Sequence, residues 1–210
     1  MPAVFLRQCC RAALLLTAFV APLALAACPA GQSEVCVVSC FCAPGSVEEI
    51  GPLLDNMNQM AASGLQEWLV RSRNSAAAGD VRPIPLNIRA QLEPYYDLQV
   101  LDSARYTIGD EAQLNAANAM LQNPDVNAVT LIDIIVFRHP DDALNDAALW
   151  AHELKHVQQY LQWGVGEFAA RYSRDYNLVE APAYEIQRQV AKALRAANQA
   201  TSGWNGWRSN

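Results

Sequence analysis

The sequence predicts an α+β fold in which a long amphipathic helix packs on a small sheet, behind a helical N-terminal extension. Three observations carry this reading. Apolar residues recur at helical spacing over residues 47–73 and again over 143–163, the second stretch free of Gly and Pro. Residues 128–137 form an apolar, β-branched run that reads as strand. Inside the second helical stretch lies His152-Glu153-Leu154-Lys155-His156, two of only three histidines in the chain.

At the N-terminus, Arg7 and Arg11 precede an apolar stretch over residues 12–27 that ends in small residues, and no acidic residue appears before Glu34. This predicts a signal peptide over residues 1–27, because the stretch contains Pro22 and is shorter than the roughly 20 residues that span a bilayer. Ala24-Leu25-Ala26 suits ordinary cleavage and export to the periplasm or medium. Leu25-Ala26-Ala27-Cys28 also fits a bacterial lipobox, which would anchor the protein in a membrane through Cys28. Ordinary cleavage leaves Cys28, Cys36, Cys40 and Cys42, an even set suited to two disulfides in an oxidising compartment, and this favours the soluble form. Cys40-Phe41-Cys42 lacks the two-residue spacer of zinc knuckles and thioredoxin-type pairs. Cys9 and Cys10 belong to the leader.

Loss of Arg7 and Arg11 with the leader would move the formal charge from −6 to −8. An acidic chain of this kind lacks the basic footprint that phosphate binding requires, so nucleic acid is excluded as a partner. The organisation expected is a Cys-rich segment and helical extension over 28–80, a main domain over 81–200, and a tail over 201–210. In the extension, Ile50, Leu53, Leu54, Met57, Met60, Leu65, Trp68 and Leu69 read as a core stripe. Residues 74–85 read as a linker, 86–95 as a short helix, 103–108 as strand, and 183–197 as the last helix. The tail, with Trp204 and Trp207, is either flexible or docked through its indoles.

Histidines four apart on a helix project from one face a turn apart, so His152 and His156 can reach one divalent ion. Glu153 follows the first of them, where its carboxylate can hold a water at the metal and take its proton. The bland alternative is a helix with two hydrogen-bonded histidines and a surface glutamate. A third ligand is needed if the fourth position is to stay open, as in catalytic zinc sites. Glu180 is the chosen candidate, far enough downstream for a returning helix to present it. Its other reading is a capping box with Asn177. Glu185, Glu167 and Asp175 are weaker candidates, and His139, at a strand end before Pro140, suits a loop or supporting role. Tyr184 and Tyr172 are candidate donors to an oxyanion.

The motif and its surroundings resemble the DUF4157 family, a group of bacterial zinc-metallopeptidase-like domains, some associated with extracellular contractile injection systems. The resemblance spans about residues 83–187 and rests on Pro94-Tyr95-Tyr96, Ala104-Arg105-Tyr106, the run from Thr130 to Arg138, the segment from Ala151 to Tyr160, and Glu180-Ala181-Pro182-Ala183-Tyr184. Pro182 departs from the pattern by removing a backbone donor. The resemblance implies Zn2+ held by His152, His156 and Glu180, with Glu153 as the base. The expected architecture is a small zincin-like domain, its sheet forming the upper wall of the cleft. The expected function is a secreted, gluzincin-like zinc metallopeptidase acting on a peptide or protein. The alternatives are a non-catalytic, metal-stabilised binding domain and an envelope lipoprotein scaffold.

Overall fold

The computed structural model describes residues 28–36, 40–121 and 127–207, so the leader expected over 1–27 lies outside the described residues. It is a helix-rich α+β structure with two small sheets. Strands β1 (Gln32–Cys36) and β2 (Cys40–Pro44) form an antiparallel hairpin tied by a Cys28–Cys42 disulfide. The second expected disulfide falls on Cys36 and Cys40, whose Cα atoms are register partners but whose side chains lie outside the description.

Helix α1 (Val47–Ala77) follows. It runs through the start of the expected linker, where Ala76 and Ala77 have strong helix propensity and pack partly against the core. Then come β3 (Arg82–Pro83), α2 (Leu86–Leu92), α3 (Leu98–Ser103), β4 (Arg105–Ile108) and α4 (Glu111–Leu121). Helices α3 and α4 were not anticipated. The 128–137 run is two strands, not one: β5 (Ala128–Leu131) and β6 (Ile134–Phe137) pair antiparallel across Ile132-Asp133. No Gly or Asn marks that turn. Ile132 takes φ 64°, a left-handed conformation that β-branched residues avoid. A bidentate ion pair compensates, Arg73 donating from Nε and Nη2 to the two oxygens of Asp133 at 2.7 and 2.7 Å and pinning the turn to α1.

The main sheet has the order β3-β4-β6-β5, with β4 and β6 parallel and the other pairs antiparallel. Every residue of β5 and β6 is buried. Ile135 and Phe137 point to one core and Ile134 and Val136 to a second, so side-chain alternation feeds both faces and the sequence reads as one continuous apolar run. Short helix α5 (Pro140–Asn145) leads into α6 (Ala147–Arg174), whose start is capped by Asp146 accepting from Leu149 N at 2.9 Å. Trp150, Leu154 and Val157 of α6 fill the first core, and Tyr160, Phe168 and Tyr172 the second. The expected core stripe on α1 packs only from Leu65 onward. Leu53, Met57 and Met60 are exposed, because the body of the protein lies against the later half of that helix.

Helix α6 turns at Gly164, with φ 75° and ψ 164°, a region open essentially to glycine alone. The break returns Phe168 and Tyr172 toward the first half of the helix. Helix α7 (Tyr176–Trp207) then packs back along α6. It starts seven residues before the expected position because Pro182 is accommodated inside it, on an exposed face. Gly164→Ala is therefore expected to lower unfolding free energy by about 1–3 kcal/mol. Gly64→Ala, on helix α1 with open space around the added methyl, is expected to raise it by roughly 0.5–1 kcal/mol. Denaturant titration of the two variants checks the opposite signs.

Candidate metal centre

The first half of α6 and the start of α7 face each other, and the side chains expected to hold a metal meet between them. His152, His156 and Glu180 are all buried, as is Glu153. His152 Nε2 lies 3.2 Å from His156 Nε2 and 3.2 Å from Glu180 Oε2, and His156 Nε2 lies 3.5 Å from that oxygen. Ligand atoms held 2.0–2.1 Å from a tetrahedral zinc would stand about 3.3–3.4 Å apart, so this triangle has the size the ion requires. Glu180 Oε2 makes no well-aligned hydrogen bond and has almost no access to solvent. A buried carboxylate oxygen left in that state is costly unless a cation shares it. The donor set therefore fits a zinc-type ion, which His152, His156 and Glu180 would hold.

Each member has its own support. His156 Nδ1 lies 2.9 Å from Gln159 Oε1. Glu180 Oε1 accepts from the Tyr172 hydroxyl at 3.2 Å, and that hydroxyl also lies 3.1 Å from Leu121 O. Glu153 Oε2 accepts from Thr130 Oγ1 at 2.7 Å, which ties the carboxylate to strand β5. Among the described residues, His152 Nδ1 has no hydrogen-bond partner. Thr130 and Gln159 were missed in the sequence. Gln159 could have been found as the residue three beyond His156 on the same helical face. Thr130 could not, since nothing local links it to Glu153.

A cavity of about 170 Å³ opens on the triad. Leu121, Val129, Leu149 and Phe168 line it with Tyr184 and Gln187, and no Lys or Arg is among its lining residues. Tyr184 is partly exposed, its ring 4.6 Å from that of His152, whereas Tyr172 is committed to Glu180. Of the two tyrosines, Tyr184 is the one that faces open space beside the triad.

The weaker candidates lie elsewhere. Glu185 pairs with Arg188 and Glu167 with Arg171 on the surface. Asp175 ends α6 and accepts from Asn177 N at 3.0 Å. His139 is exposed at the start of α5. Glu180 is not a capping-box residue, since it sits inside α7 and faces the two imidazoles.

The part of the chain that carries both histidines and Glu153 runs from β3 to the break in α6. Residues 83–164 match the family model of the eCIS core domain. The match ends at Gly164, so Glu180 lies outside it. No curated protein and no solved structure matches the chain.

Without metal, burial opposes a charge on His156, but Glu180, Glu153 and Gln159 outweigh it and raise its pKa to about 9. Burial likewise pushes the Glu180 carboxyl up, but the two imidazoles hold it well below its usual range. The raised imidazole stabilises the metal-free fold below its ordinary value of 6.5, and that contribution is lost as pH rises through about 9. The lowered carboxyl contributes above its ordinary 4.5 and less as pH falls. A metal needs the imidazoles neutral and so competes with that proton. Added zinc is expected to raise the melting temperature by an increment that grows as pH goes from about 6 to about 9, the range in which His156 loses its proton. Thermal unfolding with and without zinc across that range is the check.

Proposed function

We propose that this protein is an exported zinc-dependent peptidase of the zincin kind, in which His152, His156 and Glu180 hold the ion and Glu153 is the general base. The observation that carries the reading is the convergence of three buried lone-pair atoms on one point, at the spacing zinc would impose, beside a fourth group, the Glu153 carboxylate, that is not part of the triangle. A purely structural site has no use for that fourth group. The match to the eCIS core domain supports the assignment of the motif segment and says nothing of turnover.

When bound, zinc would act as a Lewis acid on a peptide carbonyl and lower the pKa of water at the site. The chain's own residues supply the rest. Glu153, steadied by Thr130, accepts the proton of the attacking water and delivers it to the leaving amine. Tyr184, beside His152 and open to the cleft, donates to the oxygen that gains charge. A cavity of this size admits one side chain rather than a folded ligand, and its mixed lining, with no Lys or Arg among the described residues, offers no cationic partner to an acidic residue next to the scissile bond. Export is supported by the Cys28–Cys42 bond, which also occupies the sulfur that a lipid would need. Among the described residues no helix is long and apolar enough to cross a membrane.

Two substitutions separate base from ligand. Glu153→Gln is expected to keep about one zinc per chain while hydrolysis falls by about a hundredfold or more, since the amide cannot accept the proton. Glu180→Ala is expected to lose zinc and activity together. Metal analysis and digestion of a broad peptide library, with and without chelator, read both. A wild type that takes up no zinc after reconstitution would end the metal reading, and equal chelator-sensitive cleavage by wild type and Glu153→Gln would remove Glu153 from the mechanism.

A further inference from the structure

Gln159 lies between the two helices that carry the triad, 2% exposed. Its Nε2 donates to Val179 O at 2.9 Å, and its Oε1 lies 2.9 Å from His156 Nδ1. Heavy-atom positions alone do not distinguish the two ends of a carboxamide, but the chemistry here does. Val179 O can only accept, so the NH2 group must face it. The oxygen then faces the imidazole, and an amide oxygen can only accept. His156 Nδ1 must therefore carry the hydrogen, which leaves the lone pair of the neutral ring on Nε2, the atom that points at Glu180 Oε2 and His152 Nε2.

The other end of the same amide matters as much. Val179 directly precedes Glu180, so the bond to its carbonyl fixes the height and rotation of α7 where that helix presents the carboxylate. Burying an amide here is costly unless both ends are bonded, and a leucine would fill comparable space without that demand. His152 differs, since its Nδ1 has no hydrogen-bond partner among the described residues and its Nε2 lies 3.2 Å from Glu180 Oε2.

We infer that Gln159 is a positioning residue: one buried amide holds His156 in the tautomer that offers Nε2 to a metal and locks α7 in the register that brings Glu180 to the same point. The inference rests on the reading of the triad as a metal site, but its first half concerns the metal-free protein and can be tested there. Such supporting bonds are typically worth 10–100-fold in metal affinity.

The test compares wild type with Gln159→Leu, which removes both bonds, and Gln159→Glu, whose carboxylate still accepts from Nδ1–H but cannot donate to Val179 O. Gln159→Met, flexible and of similar length, replaces the leucine variant if that does not fold. Long-range proton–nitrogen spectra of the imidazoles in metal-free protein, at about pH 10 where imidazoles are neutral, report the tautomer. The expected result is Nδ1–H on His156 in wild type and Gln159→Glu, and a shift toward Nε2–H in Gln159→Leu. Competition with a chromophoric chelator should show zinc affinity lowered about 10–100-fold in Gln159→Leu. A leucine variant that keeps Nδ1–H and binds zinc within about threefold of wild type overturns the inference, while zinc binding by the wild type leaves the metal reading standing. A tautomer that shifts in a wild-type background unable to bind zinc supports the clamp and removes the metal.

Discussion

Three buried electron-pair donors, His152 Nε2, His156 Nε2 and Glu180 Oε2, point at one another across 3.2–3.5 Å, and much of the rest of the structure serves that meeting. Such a cluster is unfavourable on its own. It needs a positive charge in its centre, either a shared proton, which the raised His156 and lowered Glu180 describe, or a divalent cation. Among the described residues no Lys or Arg lines the cleft, so the positive charge must sit at the cluster itself.

That position depends on a rigid surround. Helix α6 contributes to both cores of the sheet, so Trp150 and Leu154 on one side and Tyr160 and Phe168 on the other hold it against rotation. Phe168 stacks between Tyr160 and Tyr172 at centroid distances of 3.9 and 5.7 Å, and the hydroxyl of Tyr172 meets Glu180. The turn at Gly164 makes this ladder possible by sending the second half of α6 back over the first. Strand β5 supplies Thr130 to Glu153, which couples that carboxylate to the sheet rather than to a loop.

Local pattern revealed elements whose signals are local and hid those whose signals are not. Most of α1, the helix around His152 and the core of the strand expected over 103–108 follow from periodicity, capping and composition within a dozen residues. The hairpin at Ile132-Asp133 was hidden because its turn lacks Gly or Asn and is held by Arg73, 60 positions away in the chain. The start of α7 was hidden because Pro182 ordinarily signals a break, whereas here its ring lies on the exposed face of a helix held by packing against α6. The apolar stripe of α1 was over-read, since periodicity shows which face is apolar and not whether anything covers it.

For the site the division is sharper. By itself the sequence determined that His152 and His156 share a helical face with Glu153 beside them, because helix geometry fixes the relation of residues one and four apart. It also narrowed the third donor to a few downstream carboxylates. The tertiary structure brought Glu180, the one chosen from the sequence, to the two imidazoles and left the others elsewhere. Glu180, Thr130 and Gln159 reach the histidine pair or Glu153, and Tyr172 reaches Glu180, through the glycine turn, the sheet edge and the packing of α7 on α6. Apart from Gln159, three residues beyond His156 on the same helix, those relations link separate elements or cross the break in α6, and no periodicity encodes them. They are set by which apolar faces can be buried together at once, a property of the whole fold rather than of any segment of it.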